Sequence, residues 1–167
     1  MFNLRIVGLL ALFPFLPFAC VNPSAHPSAD APAGDAVART LDDFHDAASR
    51  ADEQRYFAHF APEGVFLGTD RSERWDVSAF RAYAHPYFAK GKGWTYRATA
   101  RHVQLSPDGN VAWFDEVLDN ASYGPCRGTG VLRKVDGAWR IAQYNLTIPI
   151  PNDLAKTVVE MIRKQGA

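Results

Sequence analysis

At 167 residues, with 47% hydrophobic and 13% aromatic side chains, the chain is long enough for one domain with its own packed core. Its 18 basic and 18 acidic side chains cancel, which excludes a basic nucleic-acid surface and argues against partner selection by net charge. With two cysteines, Cys20 and Cys126, no disulfide framework is available.

The N-terminus reads as an export signal. Arg5 precedes an apolar run from Ile6 to Ala19 (IVGLLALFPFLPFA). That run is too short to span a bilayer and suits the hydrophobic region of a signal peptide. It ends at Ala19-Cys20, a small residue followed by cysteine, which resembles the lipobox of bacterial lipoproteins. The resemblance implies that Cys20 becomes the acylated first residue of the mature protein. Pro17 stands where that pattern usually has leucine, with Leu16 one residue earlier. The competing reading is ordinary signal cleavage with Cys20 as a bystander. Residues 21–34 (VNPSAHPSADAPAG) are rich in Pro, Ala and Ser and read as a flexible tether. The expected organisation is therefore a signal segment over 1–20, a tether over 21–34 and one folded domain over 35–167. The expected address is the periplasm or cell envelope, with membrane attachment through Cys20.

Helical patterning begins near Asp35, where Val37, Leu41, Phe44 and Ala48 recur at spacings of three and four. Tyr56, Phe57 and Phe60 suggest a second short helix, broken by Pro62-Glu63-Gly64. Val65 to Gly68 is a short strand-like run, and Thr69 to Trp75 a polar loop. Ser78 is placed to cap a third helix carrying Phe80, Tyr83, Tyr87 and Phe88, with Pro86 ending or kinking it. From Trp94 the pattern is extended: strands over 94–105, 111–119, 127–135 and 138–148. Asp136-Gly137 marks a hairpin between the last two. Asn152 is placed to cap a final helix with Leu154, Val158 and Ile162 on one face. Helices first and a strand meander after them predict an α+β domain with helices on one face of an antiparallel sheet.

This order, together with VFLGTDRSERW (65–75), GWTYR (93–97), VAWFDE (111–116) and CRGTGVLRKVDGAWRIAQYNLTIPIPND (126–153), resembles the SnoaL-like domain proteins of the nuclear transport factor 2-like superfamily. The resemblance implies a conical fold: a curved antiparallel sheet wrapped around N-terminal helices, with a C-terminal helix and a pocket at the open end. It also implies a homodimer through the outer sheet face. Some members are enzymes, among them ketosteroid isomerase, polyketide cyclases and scytalone dehydratase. Others bind ligands or partners only.

Strand alternation assigns the pocket wall. If Trp139 and Ile141 face inward, Gln143, Asn145 and Thr147 follow at a period of two, unless a bulge swaps the sets. On the neighbouring strands Arg127 and Thr129 share a face, as do Trp113 and Asp115, while Phe114 and Glu116 take the other. Asp115 is placed inside as the candidate general base, with Glu116 as the alternative. The structural role competing for Asp115 is an ion pair with Arg127. Tyr56, Trp75 and Tyr87, with Trp113, Arg127, Thr129, Gln143 and Asn145, complete the candidate ligand-binding set. Cys126 lacks a neighbouring base and reads as structural. His45, His59, His85 and His102 have no ligand-like spacing, so neither a metal nor a cofactor is expected. Arg127-Gly128-Thr129-Gly130 precedes a strand rather than a helix, so its glycines read as a device for sheet curvature rather than a phosphate loop.

The functional expectation is an exported, lipid-anchored protein binding a small, mostly apolar molecule in a conical pocket. Its alternatives are an isomerase, cyclase or dehydratase using Asp115 or Glu116, and a homodimeric interaction module without ligand.

Overall fold

The computed structural model describes residues 31–165. The export signal, Cys20 and tether residues 21–30 lie outside this range. Helix α1 (Ala31–Ser49) takes up the last four residues of the expected tether. Val37, Leu41, Phe44 and Ala48 are all buried, as their spacing predicts. Burial of such a leucine or phenylalanine contributes about 1.5–3 kcal/mol. Helix α2 (Glu53–Ala58) is capped by Asp52, whose carboxylate accepts the Arg55 N–H at 3.1 Å. It delivers Tyr56 and Phe57 to the core.

Strand β1 (Phe60–Leu67) includes the Pro62-Glu63-Gly64 segment, at the cost of a register irregularity between Phe60 and Val65. The expected polar loop ends in a three-residue strand, β2 (Arg74–Asp76). Helix α3 (Val77–Phe88) is capped by Asp76 rather than Ser78, the carboxylate accepting the Ala79 N–H at 2.8 Å. Pro86 lies within its last turn. Strands β3 (Arg97–Leu105), β4 (Val111–Asn120), β5 (Gly124–Val135) and β6 (Ala138–Thr147) form the meander. Asp136 and Gly137 both have positive φ, 51° and 78°, the signature of a type I′ hairpin between β5 and β6.

The curved sheet has the order β2-β1-β6-β5-β4-β3. It is mixed rather than wholly antiparallel, because β1 runs parallel to β6. One edge of β6 is taken by β5 through a tight turn. Its other edge is reached only by a crossover spanning α3 and the first three strands of the meander, and a connection that long permits parallel pairing.

One residue in β6 resets the pocket wall. Leu132 pairs with Ile141 and Val131 with Gln143, so Ala142 is an extra residue in the strand. Trp139 and Ile141 face inward before it, and Tyr144 and Leu146 after it. Gln143 and Asn145 are thereby turned to the outer face, contrary to the unbroken alternation read from the sequence.

The C-terminal helix α4 (Ala155–Gln165) forms as expected, yet none of its residues is buried. Leu154, just before it, and Ile162 within it stand exposed. No helix among the described residues is long and apolar enough to cross a membrane.

Candidate functional site

β4 alternates strictly, with Ala112, Phe114, Glu116 and Leu118 facing the helices and Val111, Trp113, Asp115 and Val117 facing away. The inward carboxylate is therefore Glu116. It pairs in register with Arg101 of β3 on one side and Gly128 of β5 on the other. Its side chain is wholly buried. Three elements supply donors. His45 of α1 donates from Nε2 to Oε1 at 2.8 Å, Tyr144 of β6 donates its hydroxyl to the same oxygen at 2.8 Å, and Arg101 donates from Nε to Oε2 at 2.7 Å. Arg101 also donates from Nη1 to the Ala38 carbonyl at 3.0 Å and to Asp42 at 2.7 Å. The strand cluster is thereby bolted to α1.

Gly128 and Gly130 are what admit these groups. A β-carbon on Gly128 would strike the Tyr144 hydroxyl and the Glu116 side chain. One on Gly130 would strike the Gln143 carbonyl and the Phe114 ring. The glycines leave clearance on the inner face, a role more specific than the curvature expected of them.

Burial alone would raise the Glu116 pKa. The hydrogen bond from His45 and the charge and hydrogen bond of Arg101 outweigh it and hold the carboxyl below the ordinary glutamate range. Tyr144 moves the other way: burial first, then the Glu116 charge, push it well above the usual phenol value, so it stays a donor. An ionised Glu116 assigns the imidazole proton to Nε2. The nitrogen left over on His45 is Nδ1. His45 lines a cavity of about 230 Å³, small beside pockets for drug-sized ligands (about 300–1,000 Å³). Tyr144, Phe66 and Phe80 form an aromatic inner wall, with Phe66 and Phe80 stacked at 4.0 Å. Tyr56 and Trp75 line it as the sequence predicts, and Trp94, Tyr96 and Tyr123 complete it toward the opening.

The other predicted site residues fall outside. Asp115 is exposed on the outer face and meets His102 at 3.2 Å, not Arg127. Trp113 is exposed beside it, its indole N–H donating to Gln104. Arg127 and Thr129 face outward because β5 pairs in register with β4, so the residues opposite Val117 and Asp115 share their outward face. Gln143 and Asn145 are turned out by the Ala142 bulge. Tyr87 sits on the exposed side of α3, its ring 5.7 Å from that of Tyr83. Cys126 is buried, and burial pushes its thiol up, away from reactivity. Among the described residues no group of His, Cys, Asp and Glu gathers to hold a metal ion. His45, Arg101 and Tyr144 were missing from the predicted set. His45 was nonetheless detectable, since it shares the apolar face of α1 with Leu41 and Ala48.

Removing the carboxylate leaves the buried Arg101 without its enclosed charge partner, with only the exposed Asp42 carboxylate against it. Glu116→Ala is expected to destabilise the domain by about 3–5 kcal/mol in chemical denaturation. The native pKa of Glu116 lies below its unfolded value, so its contribution is present above the ordinary glutamate value of 4.5 and lost as pH falls beneath it. The stability advantage of the wild type over Glu116→Gln should therefore shrink as pH is lowered through that range. An advantage independent of pH would contradict the assignment.

With this geometry in hand, comparison with known proteins gives a consistent result. The sequence matches the SnoaL-like domain over residues 37–151. No curated protein matches the chain. Among solved structures it is similar to an NTF2-like protein of unknown function from Pseudomonas putida, with a TM-score of 0.62 and 14% identity over 74% of this chain and 91% of that one. It is also similar to a putative dehydratase of the NTF2-like family from Streptomyces avermitilis, with a TM-score of 0.63 and 13% identity over 72% and 99%. A putative scytalone dehydratase from Novosphingobium aromaticivorans gives a TM-score of 0.57 and 12% identity over 70% and 83%. Identities this low establish the shared fold alone. The solved structures show that the chain has the NTF2-like fold, and the sequence match covers most of the chain: the protein belongs to the SnoaL-like domain family.

Proposed function

We propose that the protein is an exported, lipid-anchored binder of a small, mostly apolar molecule, which it holds in the cavity between α1 and the sheet. The observation that carries the binding reading is the cavity itself: aromatic walls with few polar groups among them, including His45, whose orientation Glu116 fixes. Apolar walls supply affinity by removing ligand surface from water, and one oriented polar group selects its pose. N-phenyl-1-naphthylamine, a neutral dye that brightens in apolar surroundings, should bind saturably at one site per chain. Thr69→Trp, at the rim, should weaken it at least tenfold without altering the circular dichroism spectrum. Absence of saturable binding, or binding untouched by Thr69→Trp, would remove this reading.

The export reading rests on the apolar run ending at Ala19-Cys20. Mass spectrometry of the protein from its native membrane should find acylated Cys20 at the mature N-terminus. An unmodified start downstream of Cys20 would end the lipid-anchor claim and leave the pocket unaffected.

The His45–Glu116 pair favours a second reading, proton transfer of the isomerase, cyclase or dehydratase kind. A carboxylate-held imidazole bordering an apolar cavity is the arrangement of a general base. Glu116 itself is too enclosed to meet a substrate, so the reacting group in this reading is His45, with Glu116 behind it. The test uses 5-nitrobenzisoxazole, whose ring opening needs only a base in apolar surroundings. Opening faster than in buffer, and reduced to the buffer rate by His45→Gln, is the expected result. An unaccelerated rate, or one that His45→Gln leaves intact, defeats proton transfer while sparing the binding reading.

A further inference from the structure

The opening of the cavity differs in chemistry from its floor. Trp75 and Tyr83 stack there at 4.8 Å, and the exposed Tyr123 also lines it. Glu73, from the turn before β2, is the one carboxylate among the described residues on the cavity surface. Its position is fixed: Oε2 accepts the Asp70 N–H at 3.1 Å, and the side chain folds over Gly68, where any β-carbon would collide with it. Among the described residues no lysine or arginine lines the cavity. The arginine of α3, Arg81, is engaged elsewhere, 4.8 Å over the Phe57 ring.

The tyrosines of the opening carry the mark of this imbalance. Burial raises Tyr83, and the oxygens of Tyr87, Glu73 and Tyr123 add to the shift. Tyr96 is pushed up to about 12, by burial first and then by Cys126, Tyr123 and Tyr83. The phenols of the opening therefore stay neutral, and Glu73 is near enough to Tyr83 to act on it. Aromatic faces present the negative part of their quadrupole, with tryptophan the strongest, and a desolvated cation against them gains about 2 kcal/mol or more.

We infer that the opening recognises an ammonium group, so that the ligand is a cationic small molecule with an alkylated, tertiary or quaternary, nitrogen. This deepens the pocket reading above and rests on it. Alkylation matters because the opening offers ring faces and one carboxylate. A primary ammonium is a compact, strongly hydrated charge that is costly to desolvate, whereas an alkylated one brings methyl groups to pack against Trp75 and Tyr83 and a spread charge to face Glu73. An apolar body attached to that nitrogen then runs inward between Phe66, Phe80 and Tyr144 toward His45.

The test compares choline with 3,3-dimethylbutan-1-ol, the uncharged molecule of the same shape, by tryptophan fluorescence titration of the folded protein. Choline should bind at least tenfold more tightly. Glu73→Gln should cut that preference to below threefold while leaving the alcohol's affinity unchanged. Tyr83→Leu, which removes one ring and no charge, should weaken choline more than the alcohol. An alcohol that binds as well as choline, or a preference that survives Glu73→Gln, overturns the ammonium assignment and leaves the pocket standing. If neither compound binds while the naphthylamine dye still saturates the cavity, the assignment alone falls. If the dye fails as well, the pocket reading falls and takes this inference with it.

Discussion

The structure depends on a single enclosed negative charge. Glu116 sits between strands and helix with no access to water, and a carboxylate in that position costs several kcal/mol unless its oxygens are fully engaged. They are: Oε1 takes protons from α1 and β6, and Oε2 from β3. Arg101 then carries the connection out to Asp42 and the Ala38 carbonyl, on the helix that supplies His45. The helix cannot slide over the sheet without breaking several of these bonds together. An apolar side chain at position 116 would fill the space more cheaply. What the charge supplies instead is geometry: one helix register, one imidazole orientation and one cavity shape.

That arrangement explains the conspicuous glycines of β5. A strand next to a buried glutamate and a buried tyrosine has no room for inward side chains of its own at those levels. Gly128 faces Glu116 and Gly130 faces Phe114 across the β4–β5 ladder. Below them Leu132 restores an ordinary core, since β4 offers only Ala112 there. Small and large residues thus alternate across the ladder to keep the layer filled. Sequence alone shows the glycines and suggests curvature. The identity of what needs the space appears only when the facing strand is placed.

The elements of the fold were legible in the sequence because their signals are local. The apolar stripe of α1, the Asp-Gly turn and the alternation of β4 each follow from neighbours within a few residues. β2 was missed because three residues carry no periodicity, and the parallel seat of β1 because it depends on a partner eighty residues away. The site was harder for a definite reason. Both phases of β4 offer an aromatic and a carboxylate, Trp113 with Asp115 or Phe114 with Glu116, so alternation could not choose between them. On β6 the phase set by Trp139 holds as far as Ile141, but Ala142 inverts it before the pocket is reached. A bulge has no residue signature here, since alanine fits either conformation. The decisive clue lay on the helix: His45 interrupts the apolar stripe of α1, and a buried imidazole there requires an opposing polar group on the sheet. Only one inward position of β4 provides a carboxylate.

The same accounting sets the polarity of the cavity. At the floor, the Glu116 charge faces the Arg101 guanidinium and two further donors, so little of its field escapes into the open space. At the opening, Glu73 has a single backbone N–H on one oxygen and no side-chain cation against it. The unbalanced charge is therefore the outer one, although the inner one is more deeply buried and looks more conspicuous. A ligand entering this cavity meets the Glu73 carboxylate among aromatic rings first and a closed aromatic interior second, with His45 at the floor. Molecules with charge at one end and a flat apolar body at the other match that gradient. An anion would have to pass the tyrosine oxygens and the carboxylate with nothing positive to receive it.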